Sequence, residues 1–121
     1  MAIHSANQEG TKIEAERLKA GKRLQFGVDT SSVDASAISV ETPVTALSSA
    51  GVATRTLADG YPGQIKFLFA MTIGGTITVT PAHLYNGTTI AFDAVNDGWL
   101  GIFYAGEWHT LLGSAAASAV A

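Results

Sequence analysis

Asp93, Asn96 and Asp97 place three oxygen-bearing side chains within five residues, just ahead of Gly98. Grouped oxygen donors are the raw material of a calcium site, which takes roughly six to eight oxygens. Here the spacing is not that of an EF-hand, and no Glu stands at the twelfth position. Asp and Asn side chains also build β-turns by accepting amides of their own backbone, and that reading is the stronger one. A carboxylate pair such as Asp93 and Asp97 is what polysaccharide cleavage would require, but a turn does not aim two acids into a common cleft. His4, His83 and His109 lie far apart, without the His-x-x-x-His or His-Glu spacing of a zinc site, and read as surface histidines. No Ser sits in Gly-x-Ser-x-Gly. Gly74-Gly75 precedes a strand-like segment rather than a helix, so it lacks the dipole that would hold an anion. Thr76, Thr78 and Thr80 form a single Thr-x-Thr-x-Thr ladder, a spacing that templates ordered water only in repeated arrays. Trp99, Phe103, Tyr104 and Trp108 offer rings that could stack on sugars, although a place in the core fits them better. The expectation is a protein that is not an enzyme and uses no metal or cofactor.

The elements that would carry these residues are clearest from 54 to 113. Ile65, Phe67, Phe69, Met71 and Ile73 alternate with Lys66, Leu68, Ala70 and Thr72, the period of a strand with one buried face. That pattern puts Ile65, Phe67 and Phe69 in the core, with Ile77, Val79, Ile90, Phe92 and Trp108. Gly74-Gly75 reads as a two-residue hairpin turn into Thr76–Thr80, and Asn86-Gly87 as a type I′ turn into Thr88–Ala94. Asn96-Asp97-Gly98 and Ala105-Gly106 turn the chain into and out of Trp99–Tyr104. That strand is apolar on both faces, which implies a central strand or a subunit interface. Glu107–Leu112 closes the series. Short strands at about ten-residue spacing predict a mainly β fold, an antiparallel β-sandwich or barrel of jelly-roll-like form.

Outside that region the signals thin. Residues 24–53 hold two alternating stretches, Leu24–Val28 and Ile38–Thr42, separated by a Ser- and Asp-rich segment; they fit either a folded part of the domain or an extended arm. Residues 1–23 read as a charged N-terminal arm with a short helix. Thr11 and Glu14 match a capping box, and Gly21 supplies the C-terminal stop. The arm carries five of the seven basic residues, Lys12, Arg17, Lys19, Lys22 and Arg23, against three acids. The rest of the chain is acidic, an asymmetry that suits an arm binding an acidic partner as well as it suits a solvated helix face. Residues 114–121 form an Ala/Ser-rich tail. The domain expected is therefore 24–113.

Composition bounds the class. The 121 residues are 47% hydrophobic and 14% charged, with net charge −3 and no cysteine. That excludes wholesale disorder, disulfides and Cys-based metal sites. No apolar run approaches the ~18 residues of a membrane span, and no signal peptide is evident. A β-module of this size, without disulfides or metal, gains so little net stability from its own core that association with copies of itself or a larger body is expected.

One spaced pattern adds to this. Leu57-Ala58-Asp59-Gly60, Gly63-Gln64-Ile65-Lys66, Thr76-Ile77-Thr78-Val79-Thr80-Pro81, Gly87-Thr88-Thr89-Ile90-Ala91-Phe92-Asp93-Ala94 and Gly106-Glu107-Trp108 together resemble a β-module of tailed-bacteriophage structural proteins, found in capsid decoration (cement) proteins and in fibre segments. The resemblance covers about half the chain. It implies a homotrimer on the outer capsid surface, assembled in the host cytoplasm, that binds the major capsid protein and stabilises contacts between its subunits, with no nucleic acid or membrane partner. The arm residues Lys12, Arg17, Lys19, Lys22 and Arg23 would lie across the capsid. Phe67, Phe69, Phe92, Trp99, Phe103 and Trp108 would build the core or the oligomer contact. The other reading is a fibre or receptor- or carbohydrate-binding module, for which an exposed Trp99 or Tyr104 would speak.

Overall fold

The computed structural model of the chain describes residues 24–114 and 116–118. The arm, its expected helix and its five basic side chains lie outside them. The described residues hold ten strands: β1 (Val28–Ser31), β2 (Ser36–Ile38), β3 (Val44–Ser49), β4 (Ala53–Leu57), β5 (Ile65–Ile73), β6 (Ile77–Pro81), β7 (Thr89–Phe92), β8 (Gly98–Tyr104), β9 (Glu107–Gly113) and β10 (Ala116–Ser118). They form two five-stranded sheets, ordered β1-β3-β5-β8-β9 (sheet A) and β10-β7-β6-β4-β2 (sheet B). A single apolar core draws on both sheets, from Leu47, Leu68, Trp99, Phe103 and Trp108 on one side to Leu57, Ile77, Val79, Ile90 and Phe92 on the other.

The mainly β expectation holds, but the antiparallel, jelly-roll-like arrangement does not. Successive strands from β1 to β6 alternate between the sheets. Each therefore meets its neighbour in the same sheet only after crossing to the other sheet and back, which makes the pairing parallel. β1, β3 and β5 are parallel in sheet A, as are β2, β4 and β6 in sheet B. The first six strands thus make three stacked coils. Only from β7 onward does the chain reverse, with β7 antiparallel to β6, β8 to β5, β9 to β8 and β10 to β7. The sheets do not close into a barrel. Residues 24–53 belong to the fold and supply the first coil and half the second, and three residues of the tail form β10.

The corners explain the glycines. Gly74-Gly75 is not a hairpin turn; it carries the chain from sheet A to sheet B, stacked on the Ala50–Val52 corner of the coil before it. The Gly74 amide donates to Ser49 O at 2.9 Å. A Cβ on Gly74 would collide with the Ala50 backbone, and one on Gly75 would come within 2.5 Å of the Val52 nitrogen. The true two-residue hairpin is Ala105-Gly106, with φ of 55° and 83°, the left-handed pair a type I′ turn requires. Asn86, at φ 58°, occupies a turn inside the longer β6–β7 connection, where the Gly87 amide reaches Leu84 O at 3.3 Å.

Candidate functional site: the outer face of sheet A

The alternation of β5 is real, but its faces are reversed from the expected ones. Lys66, Leu68 and Ala70 point into the core, whereas Ile65, Phe67 and Met71 are exposed and Phe69 half-buried. Packing gives the reason. The space beneath β5 is taken by large rings: Trp108 meets Trp99 and Phe103 edge-on, with centroids 6.0 and 5.2 Å apart. Trp99 lies so close over Gly101 that a Cβ there would strike its ring. The inner positions of β5 are held by Leu68 and Ala70 against this cluster and by Lys66, which reaches the carbonyls of Ser39 and Thr42, so Phe67 and Phe69 fall on the outward face. Of the six aromatic residues assigned to core or oligomer, Phe92, Trp99, Phe103 and Trp108 are buried; Phe67 and Phe69 are on the outside.

Register turns those outward residues into a continuous feature. Val28 pairs with Val44, Val44 with Phe67, Phe67 with Leu100, and Leu100 with Leu112. One apolar side chain from every strand of sheet A therefore lines up in a row across its outer surface. Phe26 packs beside Phe67 at 6.4 Å between ring centroids. Ile65 and Ile102 pair on one side of the row, and Ala46 and Phe69 on the other. A groove of about 420 Å³ runs among Phe26, Val44, Phe67, Leu100 and Leu112. Along its rim a β-bulge between Leu100 and Gly101 leaves Leu111 as an extra residue beside Leu112, which is 67% exposed. An apolar sheet face open to water is a candidate interaction surface.

The outer face of sheet B is the contrast. Thr54 pairs with Thr78 and Thr78 with Ala91; Ala37 pairs with Thr56 and Thr56 with Thr80. Short polar and methyl-bearing side chains make this an ordinary solvated sheet surface. Thr78 and Thr80 of the expected ladder lie here.

Inside, two cations occupy positions where apolar residues would be usual. Arg55 donates from Nε to Ser31 Oγ at 2.7 Å, and through its Nη atoms to the carbonyls of Ser31, Ser48 and Thr54. Lys66 Nζ donates to Ser39 O at 2.8 Å, Thr42 O at 2.6 Å and Thr45 Oγ1 at 2.6 Å. Both cations fasten the first coil and the start of the second to the body of the sandwich. Among the described residues no buried side-chain nitrogen or oxygen lacks a partner, as a low-dielectric interior demands.

The remaining candidates sort by contact. Asp97 Oδ2 accepts the amides of Asp93 and Ala94 at 3.0 and 3.1 Å, and Asn96 has φ 73°, so this acidic cluster builds its own turn. His83 Nδ1 lies 2.9 Å from Asp59 Oδ1, and that hydrogen bond, helped by the carboxylate's charge, raises the His83 pKa. His109 stacks on Tyr85 at 4.9 Å. The structure does not bring His83 and His109 together as ligands; His4 lies outside the described residues. Trp99 is buried, its Nε1 donating to Thr110 Oγ1 at 2.8 Å, whereas Tyr104 is exposed.

The apolar row escaped the sequence because its members are spread over residues 28 to 112: Val28, Val44 and Phe67 meet through parallel pairing, and Phe67, Leu100 and Leu112 through antiparallel pairing. The available signal was the two-sided apolarity of Trp99–Tyr104 and of the run from Ile65 to Ile73. No family model matches the chain, and no match is found among curated proteins.

Proposed function

We propose that this chain is a virion structural protein, a capsid decoration (cement) protein. It binds the outer capsid surface as a homotrimer and holds neighbouring major capsid subunits together, without catalysis. The observation that carries the reading is the apolar row from Val28 to Leu112 on the outside of sheet A. A protein of this size that keeps Lys66 and Arg55 inside and Phe67 outside is built for assembly, because such a face gains stability only when covered. The likeness to phage β-modules supplies the setting, and the basic residues of the arm would make the capsid contact.

The test is binding of the full chain to empty shells assembled from the major capsid protein encoded in the same genome. Saturable binding at a fixed ratio to capsid subunits, with slower heat disruption of the shells, is the expected result. Shells that bind none of the chain would end the decoration reading. A fibre or receptor-binding module is the second reading, favoured by one observation: Tyr104 is 64% exposed, with Tyr85 and Tyr61 also open to solvent. Binding of the chain to host cells instead of shells would select it.

A further inference from the structure

We infer that one corner of sheet A, where Tyr85 lies on His109, is a binding platform for the sugar rings of a neutral, hydroxyl-rich polysaccharide. The inference rests on the receptor-binding reading only for its setting, and goes beyond it by naming the site and the ligand class.

The connection between β6 and β7 builds this corner. Its Leu84 bridges Trp108 in parallel, the Trp108 amide donating to His83 O and the Tyr85 amide to Trp108 O, each at 2.9 Å. The segment thereby extends sheet A by a short rung beyond β9. Leu84 and Trp108 are both buried, so alternation sends their neighbours outward, His83 beside Glu107 and Tyr85 beside His109. The Tyr85 and His109 rings stack at 4.9 Å with 24° between their planes. On the other side of β9, Glu107 pairs with Tyr104 and His109 with Ile102. Asp59 reaches the same corner from the β4–β5 connection, its Oδ1 2.9 Å from His83 Nδ1. That connection is held in turn by Trp108, whose Nε1 donates to Ala58 O at 2.9 Å.

These groups are what a pyranose ring needs. Tyr85 is 53% exposed although one face of its ring is already packed on His109. The other face can receive the C–H side of a sugar at little ordering cost. Around it stand partners for the sugar hydroxyls: the Glu107 carboxylate, the Tyr104 hydroxyl and, with Nδ1 engaged by Asp59, the Nε2 of His83. Charge narrows the class. The only Lys and Arg among the described residues are Arg55 and Lys66, and both are buried. A nucleic acid or an acidic glycan therefore finds no Lys or Arg to pair with. A basic peptide is poorly served as well, because Asp59 is spent on His83 and leaves the corner Glu107 alone. A neutral polyhydroxylated ring engages every one of these groups without bringing a charge of its own.

The experiment is an NMR titration of the full chain with soluble cello-, malto- and chito-oligosaccharides, with heparin, and with a short lysine-rich peptide. Saturable shifts of the Tyr85 and His109 ring signals with at least one neutral oligosaccharide, and none with heparin, are expected. Tyr85→Ala should weaken that binding about tenfold, the scale of losing one aromatic stack. Tyr85→Phe, which keeps the ring, and Thr80→Glu, on the outer face of sheet B, should bind like wild type. Glu107→Ala, which removes a hydroxyl acceptor and leaves the stack, should also weaken binding, and decides the matter even if Tyr85→Ala fails to fold. The inference is overturned if no neutral oligosaccharide shifts these signals, or if both alanine variants bind like wild type. Shifts at this corner with heparin or the peptide in place of neutral sugars overturn it in favour of a charged partner. Binding of the chain to host cells without shifts at this corner would keep the receptor-binding reading and remove this site from it.

Discussion

Lys66 and Thr45 face each other inside the sandwich, Nζ to Oγ1 at 2.6 Å, and the same hydroxyl donates onward to Asp29 Oδ1 at 2.6 Å. The chain of contacts leads from β5 at the centre of sheet A through β3 to β1 at its edge. A buried cation is thereby satisfied without a carboxylate touching it, and the edge strand is fastened to the centre by side chains as well as by its ladder.

Removing that cation should loosen the first coil. Lys66→Met preserves the length and apolar stem of the side chain but leaves the carbonyls of Ser39 and Thr42 without their donor. Stranding buried acceptors costs about 1–3 kcal/mol each, so a loss of ~3 kcal/mol is expected. Urea unfolding checks the total. Hydrogen exchange should show the greatest loss of protection in residues 28–48.

Alkaline pH should act in the opposite sense. Burial brings the Lys66 pKa down from 10.5 to about 8, against the upward pull of Asp29. Between about pH 8 and 10.5 the unfolded chain therefore binds more protons at this site than the native one, and stability rises with pH across that window. Wild-type protein should gain on Lys66→Met as urea unfolding is repeated from neutral pH to pH 10.5. Curves that stay parallel would rule the mechanism out.

The stacked corners should discriminate between glycines. Gly74→Ala forces a Cβ into the Ala50 backbone, which cannot rotate away; a cost of ~2 kcal/mol or more is expected, on the scale of overpacking. Gly51→Ala meets nothing within 4 Å and should be neutral or stabilising by about 0.5 kcal/mol through the unfolded chain. Thermal unfolding of the two variants side by side is the measurement. Equal effects would contradict the stacking.

His83 should titrate above an ordinary histidine because its Nδ1 is held by Asp59. A raised native pKa means that the pair's stabilisation is present at low pH and is lost as pH rises through the native value. Following the His83 ring protons by NMR should give a midpoint that falls towards 6.5 in Asp59→Asn. No change on that substitution would dismiss the pairing.

What could be read in advance was set by the range over which each element finds its partner. Trp99–Tyr104, the Ala105-Gly106 turn and Glu107–Leu112 pair with each other locally, so alternation and turn chemistry located them. Val44–Ser49 pairs with Phe67–Ile73 and with Val28–Ser31, partners too distant for any local signal. On β5, Lys66 reads as the solvent-facing residue, because lysine seldom enters a core. Three acceptors from Ser39, Thr42 and Thr45 reverse that choice, and they come from segments whose proximity the sequence does not declare. The outer row was illegible for the same reason: every residue in it is an ordinary apolar strand residue, and only the register of five strands far apart in sequence makes them neighbours.

The stacking of the coils has a temporal consequence. β1 and β2 need β3 and β4 beside them, and these need β5 and β6, whose own remaining neighbours, β8 and β7, are the later parts of the chain. Synthesis therefore delivers the dependent coils first and their template last. The β8–β9 hairpin, closed by two residues, has the smallest loop to close, whereas the parallel coils close over long ones. Loop closure alone predicts an order that runs backwards along the chain, from the C-terminal hairpin towards β1, with Phe26 and Val28 reaching their places beside Phe67 at the end. The apolar row would then be completed in the last step, so a partly folded chain would not yet carry the full exposed face.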